Sequence, residues 1–283
     1  MQPIRGFRDL LFSDFTMFSH VIKRCESTAM LYGYKGIETP LIEDANVFQR
    51  TLGESSDIIN KEMFVLYDRN QDLLALRPEG TAGVVRAFLS NKLTQELPQK
   101  FFYKGPMFRY ERPQKGRYRQ FYQFGVEAFG IADPYMDAEI ILMAVRLLEQ
   151  LKVTGYTMDI NSIGDTESRR AYNEALCNYL KPHQNILSED SQKRLLKNPL
   201  RILDSKDLKD QEIIKDAPRF SQYLSEASKV FFDKVLHYLD QLNIPYKVNP
   251  LLVRGLDYYS HTLFEFKHES LGAQNTFLGG GAL

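Results

Sequence analysis

The sequence predicts an α+β fold, in which an antiparallel β-sheet is flanked by helices and a helical insertion interrupts the chain. Stretches typical of strands follow one another as hairpin-like neighbours, whereas stretches typical of helices come in blocks. This grouping favours an antiparallel sheet over a doubly wound parallel one. The insertion is indicated by composition, because residues 166–242 contain no glycine and are rich in Lys, Asp, Glu and Leu. We therefore divide the chain into a core of residues 1–165, an insertion of 166–243 and a returning core segment of 244–283.

Bulk composition is that of a globular protein, with 43% hydrophobic and 25% charged residues. The formal net charge is zero, so any contact with nucleic acid must rely on local patches. The two cysteines, Cys25 and Cys177, show no CxxC spacing, and the five histidines show no HxH or HxxxH spacing. We therefore expect neither a disulfide framework nor a metal site. Without an apolar run of about 18 residues or a signal core, the sequence predicts a cytoplasmic protein with no membrane partner.

The first signals along the chain are a helix and an extended segment. Apolar residues recur at helical spacing over 13–32, with Ser13 as the expected N-cap and Gly33 as the expected stop. Residues 34–43 are predicted to be extended. Pro40 has no N–H to donate, so this segment cannot hold a central position in a sheet at that residue.

Short elements follow. We predict a short helix over 46–52 and strands over 62–67 and 73–76. A further helix is expected to begin at 79–81 and to run to about residue 90. An aromatic strand over 101–103 is then predicted to end at the Gly105-Pro106 pair, which breaks the alternation.

The second half of the chain returns to the sheet after a block of helices. A helix over 134–152, which has one apolar face, precedes a strand over 156–161. Prolines near positions 182, 199 and 218 divide the insertion into several amphipathic helices. Its charges are mixed, which favours a solvated helical face over a dedicated RNA surface. The final strands are predicted over 244–249, 262–267 and 273–278.

The highest local charge lies between residues 108 and 130. Five basic residues surround the single acid Glu111, and they are Arg109, Arg112, Lys115, Arg117 and Arg119. Residues 120–129 then alternate like a strand with one buried face. Arginine binds phosphate through a fork of donors, so a strand–loop–strand that holds a polyphosphate is one interpretation. An ordinary hairpin with a solvated basic tip is the other.

Polar residues on the predicted strand indicate a pocket floor. Gln123, Gly125 and Glu127 recur at period two and therefore share one face of the strand. Glu79 and Thr81 stand where a helix begins, and from the residues alone a capping role for the Glu79 carboxylate is favoured.

Three separated stretches resemble one enzyme family. The stretch 108–121, FRYERPQKGRYRQF, resembles motif 2 of class II aminoacyl-tRNA synthetases. Its residues are very close to those of the histidyl-tRNA synthetase family. LRPEGTAGVVR, residues 76–86, is similar to the amino-acid-binding segment of that family, and LVRGLDYYSHTLFEF, residues 252–266, to its histidine-specific segment. The first helix and the proline-broken strand after it resemble motif 1, which forms the dimer interface. The resemblance covers essentially the whole chain and implies a class II synthetase-like antiparallel sheet.

This resemblance implies a histidine–tRNA ligase. L-histidine and ATP would form histidyl-adenylate and pyrophosphate, and tRNA(His) would then accept the histidine at its 3′ end. Arg109 and Arg254 match the catalytic arginines at the α-phosphate, and together with Glu111 and Arg117 they match the ATP-binding positions. The family also implies Mg²⁺ on the β- and γ-phosphates, a homodimer, and an insertion that reaches the tRNA acceptor arm.

The resemblance also implies a histidine pocket. Its residues would be Glu79, Gly80, Thr81, Gln123, Glu127, Tyr258 and Tyr259. Imidazole has two ring nitrogens, and a selective pocket should pair both. Glu127 would accept from one N–H and Tyr259 would pair with the other nitrogen. Glu79, Thr81 and Gln123 would bind the α-amino group.

One part of the family pattern is missing, and two alternatives stay open. In the family, motif 3 continues past its glycines into Arg-Tyr-Asp-Gly, whereas here Gly281 is followed by Ala282 and Leu283. The resemblance therefore implies a catalytic-core fragment without the end of motif 3 and the anticodon-binding domain.

The main alternative is a histidine-sensing relative, the regulatory subunit of ATP phosphoribosyltransferase. A sensor need not keep the motif 2 arginines or RGLDYY, whereas this chain has both, which favours the ligase. A class II synthetase for another amino acid is disfavoured by Glu127 and the 254–259 segment.

Overall fold

The computed structural model describes residues 1–53, 56, 58–112, 117–272 and 275–283. The chain divides into two units, which we treat separately. Unit 1 comprises Met1–Ala132 and Ile140–Thr154, and unit 2 comprises Asp133–Glu139 and Gly155–Leu283. Each unit combines helices with mainly antiparallel strands, which confirms the predicted α+β class.

Unit 1 is built around one long hairpin. The elements before it are α1 (Phe12–Leu31), β1 (Lys35–Gly36), β2 (Ile42–Asp44), α2 (Ala45–Leu52), a π-helical turn (Ile58–Glu62), β3 (Val65–Tyr67), β4 (Leu73–Leu76), α3 (Thr81–Ser90) and a 3-10 turn (Leu93–Glu96). The hairpin pairs β5 (Gln99–Phe108) with β6 (Gln120–Phe129) in antiparallel register, and β1 adds to β5 in parallel. Strands β2, β4 and β3 form a second, antiparallel sheet in that order.

Helix α1 begins and ends one residue earlier than predicted, and Gly33 stops it as expected. Gly33 has φ +80°, and its N–H donates to the Met30 carbonyl at 3.0 Å, which closes the helix as glycine commonly does. The predicted N-cap at Ser13 is wrong, because the helix already begins at Phe12. Leu11 holds the capping position without a side-chain hydrogen bond to the helix.

The predicted break at Gly105-Pro106 is also wrong, since β5 continues through both residues to Phe108. β1 pairs with β5 at Phe101 and Phe102, so the later part of β5 lies beyond β1, where proline is tolerated. The buried Arg77 side chain explains the glycine. Its Nε donates to the Pro106 carbonyl at 3.0 Å, and a Cβ at Gly105 would overlap its guanidinium group.

The core of unit 1 lies between α3 and the hairpin. Val84 and Phe88 of α3 pack against Phe101, Tyr103 and Met107 of β5 in one buried cluster. Among the described helices, none combines the length and the apolar character needed to cross a membrane.

Unit 2 holds a four-stranded sheet and the predicted insertion. Helix α4 (Pro134–Gln150) contributes its first residues to unit 2 and the others to unit 1. The elements that follow are β7 (Thr157–Ser162), α5 (Thr166–Leu180), a 3-10 turn (Lys181–Ile186), α6 (Glu189–Lys197), a 3-10 turn (Pro199–Ile202), α7 (Leu208–Ile214), a 3-10 turn (Phe220–Gln222), α8 (Glu226–Gln241), β8 (Lys247–Val248), β9 (Ser260–Lys267), a 3-10 turn (Glu269–Leu271) and β10 (Thr276–Ala282). The strand order is β10-β9-β7-β8. Strand β10 includes the glycines 279–281. The predicted strand began at residue 273, and residues 273 and 274 lie outside the described part of the chain.

One hydrophobic core joins the insertion to the strand that follows it in unit 2. Tyr172 and Leu180 of α5 belong to the same buried cluster as Leu252, Tyr259 and Leu263. The insertion is therefore packed on the segment that precedes and begins β9. The boundaries predicted for its ends stay a prediction.

Candidate active site

Two buried carboxyl groups of unit 1 are linked through a threonine. The Thr81 hydroxyl donates to Glu127 Oε1 at 2.7 Å, which ties the start of α3 to β6. Glu79 accepts from the backbone N–H groups of Thr81 at 2.9 Å and Ala82 at 2.7 Å. Glu79 therefore binds two N–H groups at the start of α3, as its charge and position predict. Glu79, Thr81 and Glu127 are each less than a tenth exposed.

Burial makes this pair of carboxyl groups hard to ionise. It raises the pKa of Glu127 to about 8, although the hydrogen bond from Thr81 opposes the shift, and the charge of Glu79 adds to it. Burial also raises the pKa of Glu79, while the two backbone hydrogen bonds and the charge of Arg109 act in the opposite direction. A buried acidic pair of this kind attracts a cationic group that can replace the lost water.

Gln123, Gly125 and Glu127 alternate along β6, as predicted for one face of a strand. Gln123, Gly125 and Glu127 lie opposite Gly105, Tyr103 and Phe101 of β5, respectively. Within the described residues, Gln123 Oε1 is buried and accepts no hydrogen bond. Buried acceptors are rarely left unpaired, so this oxygen suits a ligand that donates an N–H.

Tyr103 organises this face and was not predicted as a site residue. A Cβ added at Gly80 or at Gly125 would overlap the Tyr103 side chain. Both positions therefore have to be glycine for the tyrosine to fit. Gly80, which the resemblance assigns to histidine, has this packing role. The sequence feature that could have indicated Tyr103 is the aromatic run 101–103. Its position opposite Gly125 depends on strand pairing, which a single sequence does not show.

The basic segment after β5 is held by Glu111. Arg109 Nε donates to the Pro78 carbonyl at 2.9 Å, and its Nη1 lies 3.9 Å from Glu111 Oε1. Glu111 also forms an ion pair with Arg117. Three of the residues predicted to bind ATP thus form one charge cluster in unit 1.

Aromatic side chains fix the same segment. The Arg109 guanidinium carbon lies 5.2 Å from the centre of the Phe121 ring, and that of Arg119 lies 3.7 Å from the centre of the Tyr110 ring. Such cation–π contacts hold the two guanidinium groups in place. The predicted turn residues from Pro113 to Gly116 lie outside the described residues.

In unit 2, Arg254 is oriented by a carboxylate that the sequence analysis missed. Arg254 Nη1 lies 2.6 Å from Glu265 Oε1, and Glu265 Oε2 accepts from the Thr276 hydroxyl at 2.9 Å. A Cβ at Gly279 would come within 2.5 Å of Arg254 Nη1, so the glycine of β10 makes room for the guanidinium group. The signal for Glu265 was a lone acid in the apolar strand LFEF.

The two tyrosines of the RGLDYY segment pack on each other before β9 begins. Their ring centres, those of Tyr258 and Tyr259, are 4.7 Å apart. The Tyr259 ring is buried and its centre lies 5.7 Å from the Arg254 guanidinium carbon. Arg254, Tyr258 and Tyr259 therefore form one group within unit 2.

Comparison with known proteins identifies the family. The profile described as histidyl-tRNA synthetase matches residues 6–282. The histidine–tRNA ligase of Gluconacetobacter diazotrophicus is 50% identical over 282 residues, which are 99% of this chain and 68% of that protein. The chain belongs to the histidyl-tRNA synthetase family. A second histidine–tRNA ligase, from Wolbachia pipientis subsp. Culex pipiens, is 52% identical over 281 residues, which are 99% of this chain and 69% of that protein.

Solved structures agree with the histidyl-tRNA synthetase assignment. The apo S. aureus histidyl-tRNA synthetase matches with a TM-score of 0.79 at 37% identity, over 99% of this chain and 66% of that one. A Bacillus halodurans protein described as an ATP phosphoribosyltransferase regulatory subunit/histidyl-tRNA synthetase shares the fold, with a TM-score of 0.70 at 22% identity over 99% of this chain and 75% of that one. The predicted class II synthetase fold and the predicted histidine–tRNA ligase class are confirmed. The histidyl-tRNA synthetase family implies histidine, ATP and tRNA(His) as substrates.

Proposed function

We propose that this chain activates L-histidine with ATP and transfers it to tRNA(His), and that the acidic cluster of unit 1 recognises the amino acid. The observation that carries the proposal is the buried Glu79–Thr81–Glu127 cluster beside the unpaired Gln123 oxygen. In this assignment, Glu79, Thr81 and Gln123 bind the α-ammonium group, and Glu127 accepts from an imidazole N–H. Tyr259, beside Tyr258, pairs with the other ring nitrogen.

Histidine selectivity follows from these polar partners. A site that hydrogen-bonds its substrate rejects analogues without the matching groups by factors of about 10⁴ or more, because its own buried groups are then left unpaired. The buried Glu127, assigned to an imidazole N–H, is a polar group of this kind, and the buried Tyr259 is assigned to the other ring nitrogen. Rejection at the binding step makes a separate editing reaction unnecessary.

The proposed chemistry is an in-line displacement at the α-phosphorus. A carboxylate oxygen of histidine forms the new P–O bond, the bond to the β-phosphate breaks, and pyrophosphate leaves with the electron pair. Arg109 and Arg254 are assigned to the negative charge that builds on the phosphoryl oxygens. Each is already oriented by an acid, since Arg109 lies near Glu111 and Arg254 pairs with Glu265. Pre-set cations of this kind need no reorganisation when the charge develops.

The second step is acyl transfer. A ribose hydroxyl at the 3′ end of tRNA(His) attacks the histidyl carbonyl, AMP leaves, and the hydroxyl proton is released. Mg²⁺ is proposed to arrive as the MgATP substrate on the β- and γ-phosphates. In the part of the chain that the structure describes, no group of three or more His, Cys, Asp or Glu side chains could hold a metal ion. Phosphate oxygens and water would therefore supply most Mg²⁺ ligands, with Glu111 and Arg117 assigned to the nucleotide.

A homodimer is part of the proposal, as is the cytoplasmic location typical of the family. The support for the homodimer is a set of exposed apolar side chains on α1 and β3. These residues are Phe12, Phe15, Met17, Met30, Leu31, Val65, Leu66 and Tyr67. Exposed apolar side chains such as these can be covered by a partner.

The test of the pocket is calorimetric titration with L-histidine and with two ring-methylated histidines, each blocking one ring nitrogen. We expect one histidine per chain, and a loss of affinity of about tenfold or more for each methylated form, because each loses one buried hydrogen bond. Equal affinity for histidine and both methylated forms would contradict the proposed recognition. D-histidine, which keeps the imidazole but misplaces the ammonium group, is the control for the contribution of Glu79, Thr81 and Gln123.

A further inference from the structure

The turn that carries the predicted catalytic arginine accepts hydrogen bonds from side chains of the insertion. Residues 254–259 precede β9, which begins at Ser260, so the sheet ladder does not bond their carbonyl groups. Arg201, from the 3-10 turn Pro199–Ile202, donates from Nη1 to the Gly255 carbonyl at 2.6 Å. Arg201 is buried, and a Cβ at Gly255 would come within 3.2 Å of its Nη1, so glycine permits this close approach.

Two further insertion residues bind the middle and the end of the turn. Arg169 of α5 donates from Nη1 to the Tyr259 carbonyl at 3.1 Å and from Nη2 to the Asp257 carbonyl at 3.4 Å. Asn198 Nδ2 donates to Asp257 Oδ1 at 2.9 Å. The fork of Arg169 thus binds the carbonyl groups of Asp257 and Tyr259, and Asn198 holds the side chain of Asp257.

Packing reinforces these contacts. Tyr259 and Leu252 share a buried cluster with Tyr172, Leu200 and Ile202 of the insertion. The turn is thus held by apolar packing as well as by three polar side chains. Partly buried carbonyl groups need donors, and a rigid arginine fork restricts the backbone that it binds.

From this arrangement we propose that Arg169, Asn198 and Arg201 are positioning residues for amino-acid activation. They hold the turn that begins with Arg254 and ends with Tyr259, so the insertion sets the geometry of adenylation even when no tRNA is bound. The inference rests on the proposed function, since Arg254 is the residue whose placement matters. A misplacement of about 1 Å can reduce a rate by about 10²-fold, so loss of one contact should be visible in kcat.

The first test replaces Arg201 by methionine and measures histidine-dependent exchange of pyrophosphate into ATP without tRNA. We expect kcat to fall by about tenfold to a hundredfold, with a smaller change in the KM for histidine. The matched control is Tyr172→Phe, which removes a hydroxyl bonded to the Pro218 carbonyl at 2.9 Å within the same unit but contacts no residue of the turn through that hydroxyl. If Arg201→Met keeps the parent kcat, or if Tyr172→Phe lowers kcat equally at a matched loss of thermal stability, the positioning role is overturned.

The second test exchanges the partners of one hydrogen bond. Asn198→Asp places two carboxylates against each other, and Asp257→Asn removes the charged acceptor, so each single variant should lose exchange activity. The double variant restores an amide–carboxylate pair in the reverse direction, and we expect it to recover most of the lost kcat. A double variant whose loss equals the sum of the two single losses would contradict direct coupling, because independent effects add.

The third test needs no catalysis and separates this inference from the proposed function. Amide hydrogen exchange is measured by mass spectrometry on peptides that cover 254–263 in the ligand-free chain. We expect faster exchange in Arg201→Met than in the parent or in Tyr172→Phe, because the turn loses the hydrogen bond to its Gly255 carbonyl. Unchanged exchange would overturn the inference even in an active enzyme. A parent without histidine-dependent activity would overturn the proposed function and leave this readout decisive for the turn.

Discussion

Replacing Glu127 by glutamine should stabilise the ligand-free chain at high pH and weaken its binding of histidine. Burial raises the pKa of Glu127 from its ordinary value of 4.5 to about 8. The folded state therefore holds a proton that the unfolded state has already lost. The stabilising contribution of this protonated group is complete below about pH 4.5 and is lost as the pH rises through about 8. Glutamine cannot ionise, so the variant escapes that loss.

The size of the effect follows from the two pKa values. At about 1.4 kcal/mol per pH unit, the interval between 4.5 and about 8 corresponds to an upper value on the order of 5 kcal/mol at pH 9. Histidine affinity should change in the opposite direction. A carboxylate that accepts from the imidazole N–H contributes about 1.5–3 kcal/mol, so its loss weakens binding by roughly tenfold to a hundredfold.

The assay combines urea denaturation at pH 6 and pH 9 with calorimetric titration of histidine. Asp137→Asn is the matched control, because burial also raises the pKa of Asp137, to about 6, and this residue is outside the proposed pocket. The control removes a pH dependence of stability that lies between 3.8 and about 6, so its difference in stability between pH 6 and pH 9 and its histidine affinity should both match the parent. If Glu127→Gln binds histidine as tightly as the parent, the assigned role is refuted. If the variant and the parent lose the same free energy of unfolding between pH 6 and pH 9, the electrostatic reasoning is refuted.

Three further predictions use other parts of the chain. Glu265→Gln removes the charge that orients Arg254 at 2.6 Å, and should lower kcat for pyrophosphate exchange by about tenfold while changing the KM for ATP less. Gly125→Ala forces a Cβ into the Tyr103 side chain and should destabilise the chain by about 1–3 kcal/mol in thermal or urea denaturation, whereas an unchanged midpoint would show that the packing is looser. Phe15→Glu places a charge at an exposed apolar position of α1 and should shift sedimentation of the proposed homodimer towards monomer, and an unshifted dimer would remove Phe15 from the interface.

The elements best predicted from sequence are those with strong local periodicity. β6 has the predicted bounds Gln120–Phe129, because strict alternation specifies a half-buried strand. Helix α2 and helix α3 begin within two residues of their predicted starts. The predicted break of β5 failed for a nonlocal reason. Gly105 and Pro106 are individually typical of a turn, but here they accommodate Arg77, which is distant in sequence.

The candidate site also combines residues that local sequence indicates with residues whose role depends on distant neighbours. Glu79 and Glu127 were singled out from sequence because one stands at a predicted helix start and the other recurs at period two with Gln123 and Gly125. Tyr103 and Glu265 were missed, because an aromatic or a single acid in a strand acquires its meaning only from cross-strand neighbours. The contacts of Arg201 were equally invisible, since its acceptor lies 54 residues further along the chain. The catalytic and substrate-binding roles of the site residues remain predictions.

The most direct measurement of the central claim is pyrophosphate exchange into ATP with each of the twenty amino acids, using the 283-residue chain. We expect exchange with L-histidine and background rates with the other nineteen, because the buried Glu127 and Tyr259 are assigned to ring nitrogens that other side chains do not place. Histidine-dependent exchange should also fall to background in Arg254→Met. Exchange that is absent with histidine, or equally fast with another amino acid, would contradict the proposed adenylation site.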